Sequence, residues 1–435
     1  MESRLSLFPL NTEATQKGHL VIGGCDTVEL AAEYGTPLYV YDELTLRNCC
    51  REFRNEFGQR YADTTVLYAS KAFLNKAIAN LLKEEGVGLD VVSAGELYIA
   101  KSVEFPMDMV YLHGNNKSVE ELKMALKHHI ARIVVDSYDE LRTLAAMAEE
   151  GGHIPDILLR ITPGVDAHTH SHITTGVTGS KFGFPIFDAD EAVDRAMSAP
   201  SLNLIGLHFH IGSLISDVQP YKEAIDTVLD FAAGMRDQHG LELEELDIGG
   251  GFSVPYTMED KVPEVSVYAE VIVSRVIRKC KQLDLPLPML TIEPGRAIAA
   301  RAGVALYQAG VIKNVPGLRK YVSLDGGMAD NIRPALYDAK YVATVANRMQ
   351  EGDTDKVTIA GRFCESGDIL VRDIELPPVM AGDIIAIPGC GAYCLPLASN
   401  YNASLKPAVV MVTGGKARLI RRRETLKDLI ADDLL

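Results

Sequence analysis

Between residues 65 and 296, eight short apolar runs alternate with amphipathic stretches, and this alternation leaves few folds open. The runs cover 65–69, 87–92, 109–112, 132–136, 156–161, 204–211, 244–248 and 289–293. The stretches between them carry apolar residues at helical spacing, such as Leu122, Ala125 and Leu126, or Leu141, Leu144 and Ala145. Eight strands with intervening helices predict an α/β fold, a (β/α)8 barrel of the TIM type. After about residue 303 the pattern changes to short strands separated by Gly, Pro and Asp, at 321–325, 356–360, 383–387 and 407–412. That change predicts a second, all-β domain. Leu20-Val-Ile-Gly resembles a strand, and Asp26 to Glu29 looks like a capped start to a short helix ending at Gly35. The expected division is therefore a barrel over 37–302 and a β-domain formed by 1–36 with 303–435.

Residues able to carry chemistry collect at the C-terminal ends of the predicted barrel strands, the face on which barrel enzymes build their sites. Lys71 lies in Tyr68-Ala-Ser-Lys-Ala-Phe-Leu74, just past the first run. A strand-end amine can form a Schiff base with an aldehyde cofactor when its pocket holds it unprotonated. His210 and Ser213 lie in Gly206-Leu-His-Phe-His-Ile-Gly-Ser213, and Glu293 lies in Thr291-Ile-Glu-Pro-Gly-Arg296. A phosphate dianion needs several N–H donors and a close backbone approach, which Gly249, Gly250 and Gly251 supply, with Gly295 as a second source. Taken singly, the lysine reads as a solvated helix-start residue and the glycine run as a tight turn. Their shared placement favours a site.

The composition narrows the ligand. A net charge of -16 without long like-charge blocks argues against a nucleic-acid or anionic-membrane surface, so the partner is expected to be a small molecule. The one basic cluster, Arg418 to Arg423, reads as a solvated strand edge. The N-terminus lacks a basic region followed by a long apolar run, and no run of 18 apolar residues occurs, which predicts a cytoplasmic protein. Seven cysteines, an odd count, fit reduced thiols better than a disulfide framework. No metal is expected. Cys390 and Cys394 lack a second pair, and His168, His170 and His172 alternate along a polar loop with only Asp166 nearby.

The motifs around Lys71, Gly88-Leu-Asp-Val-Val-Ser-Ala-Gly-Glu-Leu97, the His-Ile-Gly-Ser of 210–213, the glycines 249–251 and Glu293-Pro-Gly-Arg296 together resemble the fold-type III pyridoxal phosphate decarboxylases. Arg333-Pro-Ala-Leu-Tyr-Asp-Ala339, Cys364-Glu-Ser-Gly-Asp368, Gly391-Ala-Tyr393 and Ala398-Ser-Asn-Tyr-Asn402 narrow the resemblance to the diaminopimelate decarboxylases. The likeness runs through nearly the whole chain. It implies that Lys71 holds pyridoxal 5′-phosphate covalently, that His210 stacks on the ring, and that Ser213, the glycines 249–251 and Gly295 bind phosphate. Asp90, Arg296 and Tyr393 are further cofactor-binding residues by the same resemblance, and Glu293 sits beside the ring nitrogen. A carboxylate there keeps the ring protonated and able to accept the electron pair released with CO₂.

The resemblance further implies that Cys364 donates the proton to the carbon left behind, reaching the neighbouring subunit's cofactor, a role suited to a thiol. Arg296, Arg333 and Tyr337 would hold the distal carboxylate of the substrate, Glu365 from the partner its distal ammonium, and Tyr393 both phosphate and substrate. The expected activity is decarboxylation of meso-2,6-diaminopimelate at its D-centre to L-lysine, by a homodimer with shared sites. Two alternatives remain open: a decarboxylase of another basic amino acid (arginine, ornithine, lysine or a D-amino acid), and a non-catalytic pyridoxal phosphate-binding protein. The Ser180-Lys-Phe-Gly183 motif has no role assigned by its residues. Phe363 and the cysteines flanking Gly391-Ala-Tyr393 depart slightly from the family pattern and bear on local packing and oxidation.

Overall fold

The computed structural model describes residues 2–166 and 179–435. The chain forms two compact units, one of Cys50–Ser253 and Val262–Gly295, the other of Met1–Cys49, Val254–Lys261 and Arg296–Leu435. The first is the barrel. Its strands are β1 (Thr64–Ala69), β2 (Gly88–Val91), β3 (Val110–Leu112), β4 (Arg132–Val135), β5 (Asp156–Thr162), β6 (Asn203–His208), β7 (Glu245–Asp247) and β8 (Met289–Ile292). Every neighbouring pair is parallel, β8 pairs with β1 and β4 with β5, so the sheet closes on itself. All eight predicted strands form, within a few residues of their expected ends. The lining is apolar at mid-height, where Leu67, Tyr111, Val134, Leu158 and Ile205 pack together.

Side-chain caps define where several barrel helices begin. Asn75, Ser93, Ser118 and Ser137 each accept from a backbone N–H of the first turn, and Ser118 with Glu121 forms a reciprocal capping box. Glu96 acts similarly, its carboxylate accepting the Val92 N–H at 2.7 Å just before helix Ala94–Ser102. Burial pushes the Glu96 carboxyl up to about 7 against its ordinary 4.5, outweighing that hydrogen bond. The folded chain therefore holds the Glu96 proton more tightly than the unfolded chain, and stability falls as pH rises from about 4.5 through 7.

The N-terminal mouth of the barrel is closed by a polar network in which Arg132, Asp156 and Glu245 are the first residues of their strands. Glu245 is 0% exposed; it accepts from Tyr111 Oη and Thr291 Oγ1 at 2.8 Å and from Arg132 Nε at 2.7 Å. Arg132 also reaches Asp156 at 3.2 Å.

The second unit is built on a mixed sheet ordered Ile369–Leu376, Asp355–Ala360, Arg319–Leu324, Gly303–Val315, Leu38–Asp42, Ala408–Thr413, Lys416–Arg421. Leu38–Asp42 departs from expectation. It falls within the expected barrel range of 37–302, yet it pairs antiparallel with Gly303–Leu306 and parallel with Ala408–Val412. All five of its residues are buried, so its apolar run reads like a barrel strand while its partners lie far along the chain. Leu20–Ile22 is a strand, Asp26 caps helix Thr27–Tyr34, and Gly35 ends it, as predicted. The basic run forms an edge strand, Lys416–Arg421. Phe8, Leu20, Ile22, Val40, Leu306 and Val410 form its core. The three histidines 168, 170 and 172 lie outside the described residues.

Two outcomes follow. Replacing Arg132 by Met leaves the buried Glu245 charge without its cation and costs about 3 kcal/mol, read as a lowered urea midpoint; an unchanged midpoint contradicts the closing role. Glu96→Gln raises the denaturation midpoint at pH 8 relative to the parent chain and leaves it unchanged at pH 4; equal gains at both values contradict the burial of this carboxyl.

Candidate active site

The C-terminal mouth of the barrel encloses a cavity of about 300 Å³ lined by Lys71, Asp90, His113, Arg160, His208, His210 and Glu293, with Val92, Gly114, Asn115 and Phe182. Each comes from a strand end. Lys71 sits in the 3-10 turn Ser70–Ala72 after β1, Asp90 near the end of β2, His113 just past β3, and Arg160 in β5. His208 ends β6, His210 follows it by two residues, and Glu293 follows β8. Lys71 is 41% exposed at the side chain, and its Nζ lies 4.0 Å from Asp90 Oδ2. The structure thus brings together Lys71, Asp90, His210 and Glu293 of the predicted residues.

Glu293 is the electrostatic centre. Its carboxylate is 3% exposed, with His113 Nε2 2.9 Å from Oε1 and His208 Nε2 3.6 Å from Oε2. Burial alone would raise it, but His113 and His208 outweigh that and hold it well below the usual carboxylate range. Burial pushes His208 down to about 3, so it is a neutral imidazole. Burial and the adjacent Glu293 charge push Asp247 well up. Burial, with the Glu293 charge second to His113 and opposed by His113 and Lys71, also raises Asp90. His210 is held well below its ordinary value by desolvation and by Lys71; the Gly250 N–H donates to its Nδ1 at 3.2 Å, which leaves Nε2 carrying the proton. Among the described residues, Glu293 Oε1 and His113 Nε2 are buried without an aligned hydrogen bond.

The glycine loop is shaped by close approach. Gly249 has φ +68°, and a Cβ there would lie 2.7 Å from the Phe209 carbonyl oxygen; one on Gly250 would lie 2.3 Å from the Glu293 carbonyl oxygen. The Gly249 N–H already donates to Asp247 Oδ1 at 2.8 Å, and the Gly250 N–H to His210. These two glycines therefore keep space clear and brace the loop, and their N–H groups are already engaged within the protein, in contrast to the donor role expected of all three. The segment with Ser213 is tied to the loop by the Ile215 N–H, which donates to the Gly251 carbonyl at 2.9 Å. Gly295 packs against Ala69, where a Cβ would lie 2.8 Å from the alanine methyl.

The remaining predicted residues belong to the second unit. Arg296 and Arg333 are 7% and 2% exposed and share an aromatic frame. The Arg296 guanidinium lies 4.5 Å from the Tyr393 ring centroid and donates to Tyr256 Oη at 2.8 Å. Arg333 lies 4.6 Å from the Tyr256 ring and donates to Tyr341 Oη. The groups around Arg333 are phenols and thiols, Tyr256, Tyr341, Cys394 and Cys390, a setting that favours an anionic ligand over a second cation. Tyr337 ends the short helix Arg333–Tyr337. Cys364 is exposed and its N–H donates to Asn402 Oδ1 at 3.2 Å, while Glu365 accepts from Tyr401 Oη. Cys390 and Cys394 are both buried free thiols.

Sequence reasoning missed His113, Arg160 and His208 in the barrel and Tyr256 and Tyr341 in the second unit. His208 carried a signal, since it precedes His210 by two positions and a strand turns such residues to one face. The Ser180-Lys-Phe-Gly183 motif acquires a place. The Phe182 ring lies 4.4 Å from the Arg160 guanidinium, its carbonyl accepts from Thr162 Oγ1 at 2.6 Å, and the Gly183 N–H donates to Asp136 at 2.9 Å.

The pyridoxal-binding domain family of pyridoxal-dependent decarboxylases matches residues 45–300. Diaminopimelate decarboxylase from Bacillus subtilis is 46% identical over 96% of this chain and 96% of its own length. The enzyme of that name from Synechocystis is 42% identical over 99% of this chain and 93% of its own. Among solved structures, diaminopimelate decarboxylase from M. jannaschii in complex with L-lysine superposes with a TM-score of 0.92 at 37% identity, covering 98% of each chain. The Helicobacter pylori enzyme, also complexed with L-lysine, gives 0.86 at 32% identity over 93% of this chain and 98% of that one. With near full-length likeness in sequence and structure, and a strand-end lysine facing the same cavity as a buried carboxylate, the chain belongs to the diaminopimelate decarboxylase family of pyridoxal-dependent decarboxylases.

Proposed function

We propose that the chain decarboxylates meso-2,6-diaminopimelate at its D-centre, giving L-lysine and CO₂, with pyridoxal 5′-phosphate held at the barrel mouth. The observation that carries this reading is Glu293, a buried carboxylate held well below the usual carboxylate range and lining the same cavity as Lys71. Such a carboxylate suits a protonated ring nitrogen, and the glycine loop, where added Cβ atoms would collide, suits a phosphate at close range. The residues present therefore fit the cofactor.

When bound, the cofactor supplies an electron sink for the pair left as the carboxylate departs. Lys71 holds it through its amine and Asp90 stands beside that amine. Glu293 keeps the proton on the ring nitrogen. An uncharged His210, its Nδ1 engaged by Gly250, offers its face to the ring without competing for that proton. Ser213, Gly251 and Gly295 take the phosphate, with Gly249 and Gly250 holding the loop clear. Tyr393, braced by Arg296, serves phosphate and substrate.

Arg296, Arg333 and Tyr337 select the distal carboxylate. The phenol-lined surroundings of Arg333 support this role, because a buried guanidinium whose main electrostatic neighbours are phenols and thiols favours an anion and disfavours the cationic end of arginine or ornithine. Glu365 takes the distal ammonium and Cys364 delivers the proton to the reacting carbon, both acting on the partner subunit of a homodimer. The exposure of Cys364 is consistent with that delivery. We assign the enzyme to the cytoplasm; no helix among the described residues is long and apolar enough to cross a membrane.

A CO₂-release panel with meso-diaminopimelate, lysine, ornithine and arginine should give turnover with the first substrate alone, and turnover favouring ornithine or arginine would overturn the assignment. Borohydride should fix the cofactor on Lys71. Cys364→Ala should lower kcat roughly 10²- to 10⁴-fold, the range of a lost general acid. Mixing it with Lys71→Ala should restore about a quarter of parental activity, since half the dimers are mixed and each has one complete site of two. No recovery after verified subunit exchange would count against shared sites.

A further inference from the structure

Two imidazoles bracket Glu293, and one of them reaches a second carboxylate. His113 Nε2 lies 2.9 Å from Glu293 Oε1 and 3.8 Å from Asp90 Oδ1, while Asp90 Oδ2 lies 4.0 Å from Lys71 Nζ. A chain of polar groups therefore runs from the Lys71 amine to Glu293, with Asp90 and His113 between them. His208 supports the arrangement. Its ring meets His113 edge to face, with centroids 4.9 Å apart and planes at 70°, and its Nε2 lies 3.6 Å from the other Glu293 oxygen. His113 is 4% and His208 1% exposed, so water does not replace either of them.

The surroundings of Glu293 explain why His113 matters. The groups acting on its carboxylate come from separate strand ends: Asp90 on β2, His113 after β3, Arg160 in β5, His208 on β6 and Asp247 on β7. Two are carboxyls whose charge would oppose its own, and Arg160 is nearer Asp136 than to a paired role with Glu293. That leaves the imidazoles as the close favourable neighbours, with His113 the nearer by 0.7 Å.

We infer that His113 is a positioning residue for the decarboxylation: it holds the Glu293 carboxylate anionic and turned towards the cofactor's ring nitrogen, and ties it to Asp90 beside Lys71. This rests on the reading of the cavity as the pyridoxal phosphate site. His113 makes no claim on substrate. It acts through Glu293, so its loss weakens the cofactor's ring interaction and the chemical step while leaving substrate recognition intact.

The holoenzyme tests this with His113→Phe, which keeps a ring but removes the nitrogen, His113→Asn, whose amide is too short to reach Glu293, and His113→Gln, whose amide can occupy the Nε2 position. Titration with pyridoxal 5′-phosphate, the pH dependence of the bound cofactor's absorbance band, and kcat with KM are measured for each. His113→Phe and His113→Asn should weaken cofactor binding roughly 10- to 100-fold, the worth of a close polar contact to a charged group. Both should shift the pH at which the band changes and lower kcat with KM within about twofold. His113→Gln should recover most of the loss. In a Glu293→Gln background His113→Phe should add little, because both changes remove one interaction.

Additive losses in that double variant would overturn the inference, as would a parental cofactor affinity and band in a folded His113→Phe protein. If His113→Phe does not fold, equal behaviour of the Asn and Gln variants would overturn it as well. His113, His208 and Glu293 also place three metal-ligating atoms within 4.8 Å of one another. A chelator should therefore leave the parental band unchanged, and a band that collapses on adding EDTA would replace the positioning role with metal ligation. Failure of the parent protein itself to form the band, or to be fixed at Lys71, would sink the cofactor reading instead.

Discussion

Keeping a carboxylate charged where water does not reach costs several kcal/mol unless nearby donors compensate, and the architecture of the barrel mouth follows from meeting that cost at Glu293. The compensating groups are contributed by β3 and β6, and burial with the Glu293 charge pushes a further neighbour, Asp247 on β7, well up. Such an arrangement exists only if strands far apart in sequence hold their register. A shift of β6 by one residue would turn His208 out of the barrel and bring Leu207 or Phe209 in. Barrel closure and the Glu245–Arg132 network at the opposite mouth therefore serve the chemistry indirectly, by fixing the strands whose ends carry it.

Much of the fold was legible because its strongest signals are local. Short apolar runs separated by amphipathic helices carry their identity in their own residues, and strand ends then follow from the next helix cap, as at Ser93 and Ser118. Leu38–Asp42 was misassigned for a physical reason. Leu-Tyr-Val-Tyr is as apolar as any barrel strand, and only pairing with Gly303–Leu306 and Ala408–Val412 decides its sheet. Such long-range pairing leaves no mark in a local pattern.

The site was legible where motifs combine and illegible where single polar residues act. His210 and Glu293 stand in loops with glycine or proline, and Lys71 in a turn just past the first run, whereas Arg160 sits inside an apolar strand and His113 just past one, followed by a single glycine. The glycine loop shows a different limit. Its composition predicted space and donors together, but two of its three N–H groups serve the protein's own Asp247 and His210. In the second unit, Arg296 and Arg333 were visible as cations, while the tyrosines that frame them, Tyr256 and Tyr341, come from unrelated segments.

The proposed chemistry depends on the protonation of the cofactor's ring opposite Glu293. Reconstitution with pyridoxal 5′-phosphate labelled with ¹⁵N in the ring allows that nitrogen's chemical shift to be followed by NMR in the holoenzyme. A shift in the pyridinium range that holds from pH 6 to 9 is the predicted result. A shift in the unprotonated pyridine range at pH 7 would contradict it.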